Sequence, residues 1–272
     1  MSRGLGDVYK RQATNLVPGG TAPGVRHVYL RDRLLQTTEV ILEVPSSSIA
    51  PGWTPVVSPD GGAIAYDLLL PGPAGTPVWT TIRHDLSTGD TEVASVATDG
   101  TPANAQTNVA ALGDNGDFVL LRSAATNLVR NDTNGHADVF VRNVKRGITR
   151  MASVADDASL ANGPSVPHGI SANGRYVAFS STATNLTPVG SNNIRNVFVR
   201  DRQGAGATHL VSVATDGGPA DGTSDAARIS AQGRFVLFAS SATNLVDGDT
   251  NGFADAFLRD LRDGTTIRIS VG

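Results

Sequence analysis

Apolar residues fall in short runs that polar turns interrupt, and no stretch shows the period of a helix. The run Tyr176–Phe179 has no polar alternation, which predicts a strand buried on both faces. This run is the second strand of a four-strand pattern. The first strand ends at Gly169–Ser171, and examples of the third and fourth strands are Asp138–Arg142 and Arg150–Ala155. Turns that contain Asp and Gly separate them. The pattern predicts an all-β protein of short antiparallel strands.

This four-strand pattern repeats along the chain. The segment SANGRYVAFSSTATNL (Ser171–Leu186) matches SAQGRFVLFASSATNL (Ser230–Leu245), and GDNGDFVLLRSAATNL (Gly113–Leu128) follows the same pattern. The glycine of the first turn recurs at steps of 55, 58 and 59 residues, at Gly61, Gly116, Gly174 and Gly233. Four antiparallel strands in a regular repeat are typical of a β-propeller blade, whose neighbours pack on both of its faces.

Two of these segments carry a family resemblance. Pro55–Tyr66 and Ile170–Ser181 resemble the blade motif of TolB-type, WD-like propellers, although the Trp-Asp dipeptide of true WD repeats is absent. The DTNG-containing loops are similar to repeats in predicted secreted bacterial propellers. The resemblance implies that the strand 2–3 and strand 4–1 loops emerge on one face, where propellers usually bind their ligands. It is specific for the fold and says little about function.

The repeats divide the chain into five four-stranded blades, of which the first is partial. Residues 13–272 are predicted to form one propeller domain, with blades near 13–44, 51–97, 107–155, 165–214 and 225–272. Propellers close with 4–8 blades, and an open arc would leave an exposed sheet edge. We therefore expect a fragment of a larger ring.

The first twelve residues match nothing in the repeats. Asp7–Gln12 resembles one reading frame of a transposon end used in sequencing adapters, and the repeat motif ATNLV begins directly afterwards at Ala13. Residues 1–12 are therefore predicted to be a non-native, adapter-derived segment. On that interpretation the true start is lost, and a signal peptide is not observable.

The strand 2–3 loop of the last blade, here the fifth loop (Asp247–Asp255), has the spacing of a calcium site. Its oxygens at loop positions 1, 3, 5, 7 and 9 come from Asp247, Asp249, Asn251, the Phe253 carbonyl and Asp255. Gly252 at position 6 allows the chain to fold back around an ion. Leu258 stands where an EF-hand has its glutamate, so we expect a modest, structural calcium site. The alternative is a polar turn, since Asp, Asn and Gly favour turns.

A second loop keeps part of this pattern. The third loop (Arg130–Asp138) has Asp132, Asn134 and Asp138 at positions 3, 5 and 9, but Arg130 at position 1 removes a ligand and adds a positive charge. A plain turn is the favoured interpretation there, and calcium the alternative. The corresponding loops of the other blades carry no carboxylate.

Composition excludes several classes of protein. The net charge of −3 and the absence of a basic patch argue against nucleic-acid binding. No apolar run reaches 18 residues, so no membrane span is expected, and the chain has no cysteine for disulfides or thiolate metal sites. No nucleophile elbow, zinc motif or P-loop is present. The arginine after each third strand is expected to pack or pair between blades, at Arg31, Arg142, Arg200 and Arg259.

These features favour a non-catalytic binding or scaffold module. We expect a monomer, extracellular or periplasmic, that takes a protein, peptide or glycan ligand on its loop face and uses calcium to stabilise a blade loop. One alternative is the propeller domain of a larger hydrolase, a peptidase or a polysaccharide-active enzyme, whose catalytic part is missing. Another is a TolB-like protein of envelope assembly.

Overall fold

The computed structural model describes residues 6–11, 15–21, 25–45, 55–72, 75–189 and 192–270, which form strands and turns. The first sheet has the order β1-β2-β3, from β1 (Gly6–Arg11), β2 (Val25–Asp32) and β3 (Thr37–Pro45). The second has the order β4-β5-β6-β7, from β4 (Val56–Val57), β5 (Ala63–Pro71), β6 (Pro77–Asp85) and β7 (Thr91–Val93). The described residues form no helix with the length and apolar character that a membrane crossing needs.

Three more four-stranded sheets follow. The third is formed by β8 (Thr107–Leu112), β9 (Phe118–Ser123), β10 (Asp138–Asn143) and β11 (Ile148–Met151). The fourth is formed by β12 (Ser165–Ile170), β13 (Tyr176–Ser181), β14 (Asn196–Asp201) and β15 (Ala207–Leu210). The fifth is formed by β16 (Ser224–Ile229), β17 (Phe235–Ser240), β18 (Asp255–Asp260) and β19 (Thr265–Arg268). Five sheets in sequence order, the first with three strands, confirm the prediction of a partial blade and four complete ones.

The chain divides into two compact units. One includes residues up to Asn131 together with Arg142–Thr149, and the other includes Asp132–Val141 together with residues from Arg150 onward. The third sheet contains residues of both units. The first unit has an apolar cluster around Ile64 and Tyr66, and the second has one around Phe238 and Phe257.

The second unit shows why middle strands are apolar on both faces. In β13, Val177, Ala178 and Phe179 are fully buried, and Ala178 belongs to the same cluster as Ala227 and Val236 of the fifth sheet. The burial expected for Tyr176–Phe179 is confirmed for its last three residues, and Tyr176 is partly buried. In β17 burial alternates instead, and Phe235 and Leu237 are each 38% exposed.

The recurring turn glycine is explained by a close approach between these two sheets. Gly233 has φ +79°, and a Cβ atom at this position would lie 2.1 Å from the Tyr176 ring. Any side chain here would collide with Tyr176 as well as strain the backbone. The glycine therefore serves both the turn of one blade and the packing of its neighbour.

The predicted fourth strand over Arg150–Ala155 is wrong in its bounds, because β11 ends at Met151. Beyond that residue, Ala152 N still donates to Val139 O at 2.7 Å, but the Ser153 hydroxyl replaces the next backbone acceptor and takes the hydrogen of Val139 N at 3.0 Å. A side chain thus ends the strand ladder earlier than the apolar pattern indicates.

The start of the chain also pairs as a strand. Gly6–Arg11 forms β1 against β2, from Gly6 opposite Asp32 to Arg11 opposite His27. The adapter origin of residues 1–12 stays a prediction. The predicted limits at residues 1, 12, 13, 51 and 272 lie outside the described residues.

Candidate functional site

The fifth and third loops share one backbone conformation. Gly248 and Asn131, at position 2, have φ of 74° and 60°, and Gly252 and Gly135, at position 6, have φ of 71° and 72°. Left-handed backbone favours glycine and tolerates asparagine. The sequence therefore folds both loops back on themselves in the same way.

In the fifth loop, hydrogen bonds connect Asn251 and Asp255 to each other and to Ser270, two residues after β19. Asn251 donates through Nδ2 to Asp255 Oδ2 at 2.9 Å, and its Oδ1 accepts from Phe253 N at 2.8 Å. The Ser270 hydroxyl donates to Asp255 Oδ1 at 2.6 Å and accepts from Ala256 N at 2.9 Å. Position 9 thus fastens the loop to the end of the blade.

A side-chain cation lies between the two carboxylates of the fifth loop. Arg268, the last residue of β19, donates from Nη1 to Asp249 Oδ1 at 2.7 Å, and the same nitrogen lies 3.6 Å from Asp255 Oδ2. The Asp249 side chain is only 3% exposed, and Arg268 is the cation that pairs with it. Hydrogen bonds from Ser270 and then Asn251, with the charge of Arg268 as a smaller cause, lower the pKa of Asp255.

The other two predicted ligands of this loop have exposed side chains. Asp247 is exposed, and Phe253 takes part through its backbone N–H to Asn251 while its side chain is 77% exposed. Within the described ranges, no group of three or more His, Cys, Asp or Glu side chains is arranged to hold a metal ion. Calcium in the fifth loop stays a prediction.

The third loop repeats these hydrogen bonds. Asn134 donates to Asp138 Oδ2 at 2.8 Å and accepts from His136 N at 3.0 Å, while the Ser153 hydroxyl donates to Asp138 Oδ1 at 2.6 Å. Asn134 Nδ2 also reaches Ala161 O at 3.1 Å. The structure therefore brings Asn134 and Asp138 together as the motif predicts.

The two loops differ in the charge that faces position 3. Met151, the last residue of β11, stands where β19 ends in Arg268. Asp132 is 7% exposed, and within the described chain no hydrogen bond or ion pair reaches its carboxylate. Burial, and then the charge of Asp138, raise the pKa of Asp132 to about 6. Burial also raises the pKa of Asp138, in spite of its hydrogen bonds to Ser153 and Asn134.

Position 9 of the loop has a structural role that does not require a carboxylate. In the fourth blade Asn196 occupies it, and the Ser212 hydroxyl donates to Asn196 Oδ1 at 2.8 Å while accepting from Val197 N at 3.1 Å. An amide thus does what Asp138 and Asp255 do. Sequence reasoning missed the serines of this contact, although their recurrence in the SVA motif was a usable signal.

The asparagine of the last three ATNL motifs joins the strand 2–3 loop to the preceding strand 4–1 loop. In this asparagine bridge, Oδ1 of Asn127, Asn185 and Asn244 accepts from Asn104 N, Asn162 N and Asp221 N at 2.9, 3.0 and 3.0 Å. Their Nδ2 atoms donate to Pro102 O, Leu160 O and Pro219 O at 2.8, 2.8 and 3.2 Å. The motif therefore recurs because it holds two loops together.

Comparison with solved structures agrees with this architecture. An oligogalacturonate lyase in complex with manganese superposes with a TM-score of 0.53 at 13% identity, over 92% of this chain and 60% of that one. A protein described as a TolB from Agrobacterium tumefaciens gives 0.51 at 18% identity, over 87% and 66%. The chain has the fold of the TolB-type β-propellers. No model of a protein family matches its sequence, and none of the curated proteins does.

The TolB-type fold also occurs within larger enzymes. An acylaminoacyl peptidase superposes with a TM-score of 0.54 at 9% identity, over 97% of this chain and 39% of that protein. This chain spans half to two thirds of the length of the TolB structures it matches. At these identities the likeness concerns the fold.

Proposed function

We propose that this propeller is a non-catalytic binding or scaffold module that works as a monomer, extracellular or periplasmic, and takes a protein, peptide or glycan ligand on its loops. The observation that carries the proposal is the asparagine bridge. The polar residues that recur in the loops form hydrogen bonds with one another. This favours a rigid binding surface over an acid–base pair that is free to react.

We then expect the ligand to contact exposed loop side chains that take no part in these bridges. Phe253 is the main candidate, since it is 77% exposed at the tip of the fifth loop. An exposed aromatic ring offers a large contact area at low cost in conformational entropy. The Val189 side chain, 55% exposed in the fourth-blade loop, is a second candidate.

Binding to peptide and glycan arrays tests this proposal. We expect a ligand whose affinity falls about tenfold in Phe253→Ser, as typical of an interface aromatic. The matched control is Leu34→Ser, because Leu34 is 73% exposed but lies in a strand 3–4 turn. A ligand that is cleaved, or equal loss of binding in both variants, would contradict the proposal.

A propeller domain of a larger enzyme is the second candidate. What favours it is the likeness to the peptidase and the lyase, of which the chain covers 39% and 60%. A role in envelope assembly like that suggested by the TolB likeness is a third. Sequencing the complete gene distinguishes them, since a fused hydrolase domain would select the enzyme.

We further propose calcium as a structural ion of the strand 2–3 loops. Support is stronger for the third loop, where Asp132 is a buried carboxylate beside Asp138. The position equivalent to Arg268 is Met151 there, so no arginine competes with an ion. In the fifth loop calcium has to compete with Arg268 for Asp249. Any affinity should be in the weak range of extracellular modules, given the few carboxylates.

Melting temperatures in millimolar calcium and in chelator test the ion. We expect calcium to raise the melting temperature of the parent and of Asp249→Ala, and to leave that of Asp132→Ala unchanged. A shift that Asp249→Ala abolishes would move the site to the fifth loop. No shift in the parent would remove calcium from both loops.

A further inference from the structure

The second unit contains a cavity of about 500 Å³ between the fourth and fifth sheets. It lies at the strand 1–2 and 3–4 turns of the fifth sheet, at the end of the strands away from the fifth loop. Its walls include Tyr176, His209, Leu210, Arg234, Arg259 and Arg262. This volume is in the range of small-molecule sites.

Two of the charged groups in the wall are already neutralised. Arg234 donates to both carboxylate oxygens of Asp260 at 2.6 to 3.0 Å and to Asp263 at 2.8 Å. Asp201 accepts two hydrogen bonds from Arg175, at 2.8 and 2.7 Å. The remaining charges are those of Arg259 and the exposed Arg262, so the cavity has an excess of positive charge.

Arg259 differs from its counterparts in the preceding blades. Arg142 and Arg200 lie at the same place in the third strands of their blades, β10 and β14. Each donates from Nη1 to a carbonyl of the preceding blade, Ala97 O at 3.2 Å and Ala155 O at 3.3 Å. The expected pairing between blades is thus confirmed for both. Arg200 also donates from Nη2 to Ala205 O at 3.4 Å.

Arg259 donates from Nη1 to Thr266 Oγ1 at 3.0 Å, the counterpart of the bonds from Arg142 to Thr149 and from Arg200 to Thr208. No carbonyl of the described residues accepts from its guanidinium, although the group is half-buried and borders the cavity. A guanidinium has five N–H donors, and leaving them unpaired away from water is costly. Burial accordingly lowers the pKa of Arg259, with the charge of Asp260 opposing the shift.

Apolar surface lies beside this guanidinium. Leu210, Leu261 and the ring of Tyr176 form part of the same wall. Arg175 stacks on the Tyr176 ring, 4.6 Å from its centroid, which holds the ring in place. The cavity thus combines one poorly satisfied guanidinium with a fixed apolar wall.

We propose that this cavity binds a small organic carboxylate, whose head group pairs with Arg259 and whose apolar body rests on Tyr176, Leu210 and Leu261. A carboxylate matches the fork of a guanidinium with two parallel hydrogen bonds. One half-buried arginine balances the single charge of a carboxylate better than the nearly double charge of a phosphate monoester. The site is independent of the loop function proposed above.

Calorimetric titration with hexanoate tests the proposal, with hexanamide as a neutral probe of the same shape and hexyl phosphate as a doubly charged one. We expect hexanoate to bind at least about tenfold more tightly than either, and Arg259→Gln to remove that preference. Equal binding of hexanamide, or tighter binding of hexyl phosphate, would overturn the carboxylate assignment.

Arg142→Gln is the matched control, since it removes a sister arginine that does not border the cavity. We expect this control to lower the melting temperature and leave hexanoate binding intact, and Arg259→Gln to do the reverse. If Arg259→Gln also lowers the melting temperature, Leu210→Ser, in the apolar wall, decides. Unchanged hexanoate affinity in Leu210→Ser would then overturn the proposal.

Discussion

The third and fifth loops have the same backbone and the same Asn–Asp–Ser hydrogen bonds, yet they treat the buried aspartate at position 3 differently. Asp249 has Arg268 at 2.7 Å, whereas Asp132 has a second carboxylate, Asp138, as its charged neighbour. The pKa of Asp255 is lowered and that of Asp138 is raised, although both accept hydrogen bonds from serine and asparagine. A repeated motif therefore fixes the geometry of a loop, while a residue outside the motif fixes its electrostatics.

Removing the arginine should have the largest effect on this difference. Arg268→Met makes the fifth loop resemble the third and leaves Asp249 buried without a partner. We expect a loss of about 2 to 3 kcal/mol in the free energy of unfolding, because breaking a buried ion pair leaves the Asp249 carboxylate without a counter-charge. Urea denaturation at pH 7 measures it.

The double variant Arg268→Met with Asp249→Asn is its control. Without the stranded carboxylate, much of the lost stability should return. A single variant as stable as the parent would show that Arg268 does not support the fifth loop.

The second prediction concerns the third loop and pH. The pKa of Asp132 is raised to about 6, so between about pH 4 and pH 6 the folded protein retains a proton that the unfolded chain loses. Stability should therefore fall as the pH rises through this window. Asp132→Asn should reduce that slope, to which Asp67 also contributes because burial raises its pKa to about 6. The substitution should also raise the free energy of unfolding at pH 7 by about 1 to 2 kcal/mol, after allowance for solvent screening.

Asp249→Asn is the matched substitution in the fifth loop. It should lower stability at pH 7, because it removes the partner of Arg268. If both asparagine variants change stability in the same direction, the contrast between the loops fails.

The third prediction, with the smallest effect, introduces the arginine of the fifth blade into the third blade. Met151→Arg places an arginine where β19 has Arg268, and we expect a gain of up to about 1 kcal/mol at pH 7 together with a lower pKa for Asp132. Carboxyl NMR titration of Asp132 reports the pKa directly. Met151→Gln is the control, since it places a polar side chain of similar length without the charge.

The repeat made the fold predictable, because four copies of one pattern average out the ambiguity of a single strand. The bounds of the fourth strand were wrong, since the Ser153 side chain replaces a backbone acceptor that periodicity does not reveal. The spacing of the loops located Asp249, Asn251 and Asp255 correctly as neighbours. It also grouped Asp247 with them, which the structure leaves exposed.

Arg268 was not predictable in the same way. It lies 19 residues after Asp249, and its counterparts are Met151 and Leu210, so no recurrence marks it. The sequence does not reveal the unsatisfied donors of Arg259 either, although this arginine belongs to a recurring motif. Its motif recurs faithfully, and only the hydrogen bonds show that it departs from Arg142 and Arg200.

The asparagine bridge also bears on how such a gene gains or loses length. Its two ends lie 23 residues apart in each of the three bridges described, so both ends are encoded within one repeat length. The arginine of the third strand reaches the preceding repeat at a constant separation of 45 residues, in Arg142 and in Arg200. A duplicated segment therefore arrives with its own bridge and with an arginine suited to any neighbour of the same type. Recombination between repeats can change the number of blades without any new contact having to evolve.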